Sequence, residues 1–162
     1  MFRQMRRVKQ LLPDETAAAI LEKNTCGVLS LLGDDGYPYG VPISYVYKED
    51  SIYFHSAKSG HKIDAIKNYE KASFCVIDQN QVVPEKFTTY FRSVIAFGKI
   101  KLVEDLDQKR NIASILAFKY APDFQNEIPA RIDASIKNMT IMKMTIEHMT
   151  AKEALDLINM KK

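Results

Sequence analysis

The run from Tyr39 to Lys62, YGVPISYVYKEDSIYFHSAKSGHK, limits the fold more than any other stretch of this chain. A β-branched and aromatic segment reaches Tyr47, Lys48-Glu49-Asp50 makes a turn, Ser51 to His55 forms a second strand, and a helix opens just beyond. Strands joined by short turns lie antiparallel, and a helix entrance offers unpaired backbone N–H groups with a partial positive charge. His55, Lys58, His61 and Lys62 collect at that entrance, which therefore reads as an anion site. Side chains alternate along a strand, so Ile52 and Phe54 share one face while Tyr53 and His55 share the other.

The remaining periodicities place helices at the ends and strands between. Asp14 opens a capped helix with Ala17, Ile20, Leu21 and Asn24 near one face, ending at Asn24. Cys26 to Leu32 is a short apolar run, and Gly33-Asp34-Asp35-Gly36 turns it into the next segment as a hairpin. Ser59 is the expected cap of the following helix, in which Ile63, Ile66 and Tyr69 recur at helical spacing, and Lys71 to Ile77 returns as a strand. Residues 79–87 read as a polar loop. A long strand is predicted over Thr88 to Val103, with Gly98 in its interior marking a bulge, a bend or a close backbone approach. A helix over Leu106 to Tyr120 carries Ala113, Leu116, Ala117 and Tyr120 on one face, and a short helix covers Ala130 to Asn138. From Thr140 to His148, Met142, Met144 and Ile146 alternate with Lys143, Thr145 and Glu147, as in a half-buried strand.

Six or seven strands joined mostly by turns, with one helix inserted mid-sheet, describe a small antiparallel barrel: mainly β with peripheral helices. At 162 residues and 46% hydrophobic content the expectation is a single domain over residues 1–162. The net charge of +3 is spread over mixed signs, without the basic stripe that a nucleic-acid backbone requires. Cys26 and Cys75 have no CxxC spacing, and His55, His61 and His148 give no metal-ligand pattern, so neither a zinc site nor a disulfide framework is expected. The basic N-terminus is followed by no apolar leader and no run is long enough for a membrane helix, so a cytoplasmic, unprocessed protein is expected. GxGxxG, GxxxxGK[ST] and GxSxG are all missing.

The segments GVPISY, YFHSAKSGHKIDAIKNYEKASFCV, YFRSVIAFGKIKLVED and EHMTAKE resemble, in this order, the flavin-binding split-barrel proteins related to pyridoxamine 5′-phosphate oxidase, and within them the nitroimidazole-resistance branch. The resemblance runs from about Arg3 to Leu157, and its most specific piece is His-x-Ala-x-x-Gly-x-Lys at His55, Ala57, Gly60 and Lys62. It implies a six-stranded antiparallel split β-barrel, a homodimer, and one flavin mononucleotide (FMN) per subunit at the subunit interface. FMN phosphate would then lie against the helix entrance. Lys62 sits in its first turn, His55 and His61 reach toward it, and Ser56 and Ala57 offer backbone N–H groups. Val41, Pro42, Ile43 and Ser44 occupy the place where relatives bring main-chain groups against the flavin ring. Ser93 matches a frequent polar contact, Arg92 points to the opposite face, and Tyr90 and Ser59 are lesser candidates.

The chain departs from the true pyridoxamine phosphate oxidases in having VPISYVY in place of their Arg- and Lys-rich strand. It also ends at EALDLINMKK, without an arginine-bearing tail. Vitamin B6 oxidation is thereby disfavoured. The expected activity is transfer of electrons from a reduced nicotinamide to a small electrophile such as a nitro-aromatic, with His55 as a candidate proton donor. The alternatives are a non-catalytic flavin-binding or flavin-sensing protein, and the same barrel holding the deazaflavin F420 or haem.

Overall fold

The computed structural model describes residues 1–160. Its elements are β1 (Leu11–Leu12), α1 (Asp14–Lys23), β2 (Cys26–Leu32), β3 (Pro38–Ser44), β4 (Val46–Lys48), β5 (Ser51–Ala57), α2 (His61–Asn68), β6 (Lys71–Val83), β7 (Thr88–Val103), α3 (Leu106–Tyr120), α4 (Ile128–Ser135), β8 (Met139–Glu153) and α5 (Leu155–Asn159). All ladders are antiparallel, in the order β3-β2-β6-β7-β8-β5-β4, with β1 added to β8. β3 and β4 are the two ends of this path, yet only Tyr45 separates them in the chain. The sheet must therefore curl until its ends meet. Because no ladder joins those ends, the barrel is split, and β2, β3, β5, β6, β7 and β8, each of at least seven residues, form its wall.

Apolar alternation fills the interior. Leu29, Ile52, Phe54, Phe74, Val94, Ala96, Ile100, Met142 and Met144 are buried there, closed at the ends by α1 (Ala17, Ile20, Leu21) and α2 (Ile63, Ala65, Ile66). Phe74 meets Phe54 and Tyr45 edge to face. A second core lies outside the wall, where Ile112, Ala113 and Leu116 of α3 and Ile128 and Ile132 of α4 pack on Val46, Tyr53, Val103 and Ile141. Strand β5 is thus covered on both faces, Phe54 by the barrel and Tyr53 by the helices.

Four expectations need correction. Residues 79–83 of the anticipated loop are strand, paired from Gln79↔Arg92 to Val83↔Thr88; only Pro84–Lys86, followed by Phe87 at φ 49°, makes the turn. The arm is polar because Asn80, Gln81 and Val82 are exposed beyond the barrel. Ser59 does not cap α2; the N-cap is Gly60, and no side chain bonds there. Tyr69 ends that helix and is exposed, leaving Ile63 and Ile66 as its buried pair. The short helix expected over Ala130 to Asn138 begins at Ile128 and closes as a 3₁₀ turn over Ile136–Asn138.

Gly98 is both a bulge and a close approach. The β7–β8 register shifts between Phe97 and Gly98, and a Cβ at Gly98 would stand 2.0 Å from the Thr145 carbonyl oxygen. A second irregularity, between Ile77 and Gln79, turns Asp78 inward. Its carboxylate is 1% exposed and accepts from Lys23 (2.7 Å), Asn24 (2.8 Å) and Arg92 (2.9 Å), while Arg92 Nε donates to buried Glu153 at 2.8 Å. This network joins the end of α1 to β6, β7 and β8.

Burial alone raises the Asp78 pKa, but the hydrogen bonds from Lys23, Asn24 and Arg92 outweigh it and hold the carboxyl below its ordinary value. A depressed native pKa stabilises the fold fully above the unfolded value of about 3.9, and that contribution is lost as pH falls through the native one. Asp78→Asn takes the carboxylate from Lys23 and leaves Arg92 with Glu153 as its one ion-pair partner. It is expected to lower stability near pH 7 by about 3 kcal/mol or more. Urea midpoints at pH 7 and pH 3 should converge for the two proteins on the acid side; a constant gap would remove Asp78 from the acid response.

Candidate functional site

The start of α2 is an open cradle of backbone donors. Gly60 has φ 122° and ψ 166°, a conformation natural only to glycine, and its carbonyl takes the first helical bonds from Ile63 (2.8 Å) and Asp64 (3.2 Å). The N–H groups of His61 and Lys62 are left without helical acceptors. Residues 57–61 are exposed, Lys62 is half-buried, and no acidic side chain pairs with Lys62 among the described residues. The His61 imidazole stacks on the Tyr39 ring at 4.0 Å, with Nε2 3.7 Å from the Asp34 carboxylate. Tyr39 lies in β3, so this contact ties the helix start to the edge strand.

β3 pairs only with β2, leaving one of its hydrogen-bonding edges free of any ladder. Val41 and Ile43 turn inward and pack on the barrel core with Tyr39; Pro42, opposite Val28, faces out. At the end of β3, Ser44 lines the same cavity as Tyr120, whose hydroxyl reaches the seam beside it. That hydroxyl accepts from the Tyr45 N–H at 2.8 Å, lies 2.8 Å from the Tyr45 carbonyl and touches the Thr25 carbonyl, and its burial pushes the phenol above its ordinary pKa. α3 is thereby clasped to the seam between β3 and β4.

The clasp forms one wall of a cavity of about 590 Å³ between α3, α4 and the outer side of the sheet. Ser44 and His55 both line it, with Ala113, Leu116, Ala117, Tyr120, Ala121, Phe124, Ile128, Ile132 and Met139. Arg131 stands at its border, held by Glu127 at 2.6 Å and 2.9 Å. Such a chamber, mostly apolar with a few polar groups, suits a flat organic ring. Alanines at 113, 117 and 121 leave the space, since larger side chains there would fill it.

The predicted residues therefore fall into groups. Ser44 and His55 meet in the chamber, and His55 leaves β5 opposite Phe54 as its alternation requires. His61 and Lys62 form the helix start, reached from Ala57 at the exposed end of β5. Ser56 lies on the inner face, opposite Thr140. Ser93 stands on the outer face between Ile77 and Lys152, apart from the chamber, while Arg92 turns inward to Asp78 and Glu153. Sequence reasoning missed Tyr39 as the link and Tyr120 as the clasp, and it read the α3 face as core alone. Among the described residues no three His, Cys, Asp or Glu side chains gather as for a metal ion.

A family model described as pyridoxamine 5′-phosphate oxidase matches residues 13–153. Among solved structures, a proposed 5-nitroimidazole antibiotic resistance protein of Bacteroides thetaiotaomicron is 25% identical, covering 88% of this chain and 86% of its own, at TM-score 0.70. A conserved hypothetical protein of Mycobacterium tuberculosis is 15% identical over 93% of this chain and 90% of its own, at TM-score 0.80. An FAD- and haem-binding protein of Mycobacterium smegmatis is 19% identical over 90% of this chain and 73% of its own, at TM-score 0.78. No curated protein matches the chain.

Tyr120→Phe keeps the ring and removes the hydroxyl, stranding the Tyr45 N–H. The expected cost is about 1–3 kcal/mol, read as a lower urea midpoint, together with faster hydrogen exchange at Tyr45 and Val46. Exchange rates equal to those of the parent protein would show that α3 is held without the clasp.

Proposed function

The chain belongs to the pyridoxamine 5′-phosphate oxidase family, and from that premise we propose that it is an FMN-dependent oxidoreductase acting on small electrophiles such as nitro-aromatic compounds. The observation that carries this reading is the contact of His61 with Tyr39. It joins an open set of helix-start donors to an edge strand that runs to Ser44 at the mouth of an apolar chamber.

The fit is one of residue chemistry. The N–H groups of His61 and Lys62, with the Lys62 ammonium, would hold a dianionic phosphate through charge-assisted bonds. The free edge of β3 along Val41, Pro42, Ile43 and Ser44 offers main-chain donors and acceptors to a pyrimidine-type ring edge, and Ser93 a hydroxyl from the outer face. The bound flavin would supply two-electron transfer from a reduced nicotinamide to the electrophile. His55, exposed on the chamber wall, would deliver the proton that accompanies reduction, and the apolar side chains of α3 and α4 would exclude water from that transfer.

A homodimer completes the reading. The outer face of β2, β6 and β7 exposes Val28, Ile77, Ile95 and Phe97, and Phe2 lies against Phe97 and His148. A second copy covering this face would enclose Pro42 and Ser93 and shelter the flavin between subunits. The resemblance to a proposed nitroimidazole resistance protein supports the electrophile class, and the departures at VPISYVY and at the C-terminus speak against pyridoxamine phosphate.

The purified protein is expected to be yellow or to take up FMN, and to sediment as a dimer. NADH or NADPH added anaerobically should bleach the flavin, and a nitroimidazole should restore its colour. Bleaching by neither donor would favour the non-catalytic carrier, and a haem or deazaflavin spectrum would identify those cofactors instead. Lys62→Ala is expected to weaken FMN binding by about 1.5–3 kcal/mol with an unchanged circular dichroism spectrum; unaltered affinity would take Lys62 out of the site.

A further inference from the structure

A second cleft lies away from the chamber, where the N-terminal segment lies against the β7 side of the β6–β7 arm. One cavity of about 590 Å³ is lined by Arg6, Arg7, Val8, Lys9 and Gln10 against Thr88, Thr89 and Phe91 of β7 and Ala154, Leu155 and Asp156. A neighbouring cavity of about 400 Å³ shares Arg6, Arg7, Gln10 and Phe91 and adds Met5 and Lys152. The two form one cleft, since the same four residues wall both.

Its charge is strongly one-sided. Arg6, Arg7, Lys9 and Lys152 face it with only Asp156 opposed, and none of the four cations is ion-paired among the described residues. Lys152 is held over the Phe91 ring, 5.2 Å from its centroid. At the base sits Gln10, 7% exposed, with its main-chain N–H bonded to the Arg7 carbonyl at 2.9 Å. The Gln10 side-chain oxygen is buried without a hydrogen-bond partner, the sole such atom among the described residues. An unmet buried acceptor is costly and marks a place where a ligand donor or bound water belongs.

We infer that this cleft binds a phosphorylated nucleotide. Phosphate oxygens pair with the Arg6 and Arg7 guanidinium groups and the Lys152 ammonium, the geometry in which charge-assisted bonds are strongest. Val8, Phe91, Ala154 and Leu155 give the cleft an apolar side, so its ligand has an organic body as well as an anionic end. Free phosphate shares the anionic end alone. Thr88, Thr89 and the Gln10 amide serve the hydroxyl and amino groups of such a body. None of its residues belongs to the helix start, the β3 edge or the chamber, and Lys152 borders the flavin reading only as the cross-strand neighbour of Ser93, which is why the titration is run with and without FMN.

Calorimetric titration of the full chain with ADP, adenosine and inorganic phosphate, each with and without saturating FMN, tests the assignment. ADP is expected to bind saturably in both conditions, adenosine not to bind, and phosphate to bind more weakly than ADP. Arg6→Gln with Arg7→Gln should weaken ADP by about tenfold or more, and Gln10→Met, which changes no charge, should weaken it as well. Binding of ADP that neither variant alters, or that Gln10→Met leaves intact while salt abolishes it, would reduce the cleft to loose surface charge. Adenosine matching ADP would leave only an apolar groove, and phosphate matching ADP a free-phosphate site. Displacement of ADP by FMN would make the cleft part of the flavin's own seat. Any of these overturns the inference.

Discussion

The architecture turns on the seam at Tyr45. Strands at opposite ends of a seven-stranded path are consecutive in the chain, so one residue must bridge the split that the ladder leaves open. Main-chain groups at such a break lose their sheet partners, and burying them unpaired would cost more than the break saves. Tyr120 meets the Tyr45 N–H from α3, and the Tyr45 phenol donates to the Leu21 carbonyl of α1 at 2.8 Å. The Tyr45 ring packs edge-on against Phe74, with the Lys119 ammonium 4.5 Å from its centroid. The residue that closes the barrel therefore also fixes α1 and α3. Because α3 is one wall of the chamber, the shape of the site follows from how the barrel closes.

A different device keeps the three long strands in register. The Asp78, Arg92 and Glu153 network is buried, and a buried ion pair rarely adds much net stability over an apolar replacement. Its value is positional. Asp78 reaches the interior only because the strand bulges there, and Arg92 spans both neighbours only when β6, β7 and β8 stand in this register. A slip of one residue would send Arg92 to the outer face and strand two carboxylates inside. Gly98 acts with it farther along β7, where contact with the Thr145 carbonyl admits no side chain.

What was legible in the sequence follows the range of the forces involved. The alternations at Ile52, Tyr53, Phe54 and His55 and along β8 were readable because strand periodicity is local. The α3 helix was readable from the face that Ala113, Leu116, Ala117 and Tyr120 share, and its start is fixed by Asp105, which accepts from the Gln108 N–H at 2.7 Å. The arm over residues 79–83 was missed because its polar residues mirror exposure, and only pairing with β7 makes it strand. Ser59 read as able to cap the helix because serine often does so, whereas the turn needs a backbone angle that Gly60 supplies. The clasp at Tyr120 lay out of reach. Nothing near residue 120 announces that a phenol will answer a main-chain N–H at residue 45, because that requirement arises only once strand order is known.

The same division separates cofactor from substrate in the proposed function. Recognition of the proposed cofactor at the α2 start and along β3 would rest largely on main-chain groups, so the sequence there would need only glycine at 60, a cation at 62 and an edge strand that stays unpaired. Many sequences would satisfy those conditions. The chamber is different: apart from Ser44 and His55, its walls come from α3, α4 and their junction with β8, and are made of side chains. Changing Ala117, Phe124 or Ile132 would alter its volume and shape without touching the barrel interior. In the proposed function, selectivity among electrophiles would therefore be set between residues 113 and 139, while the motif from His55 to Lys62 would set only what those electrophiles meet.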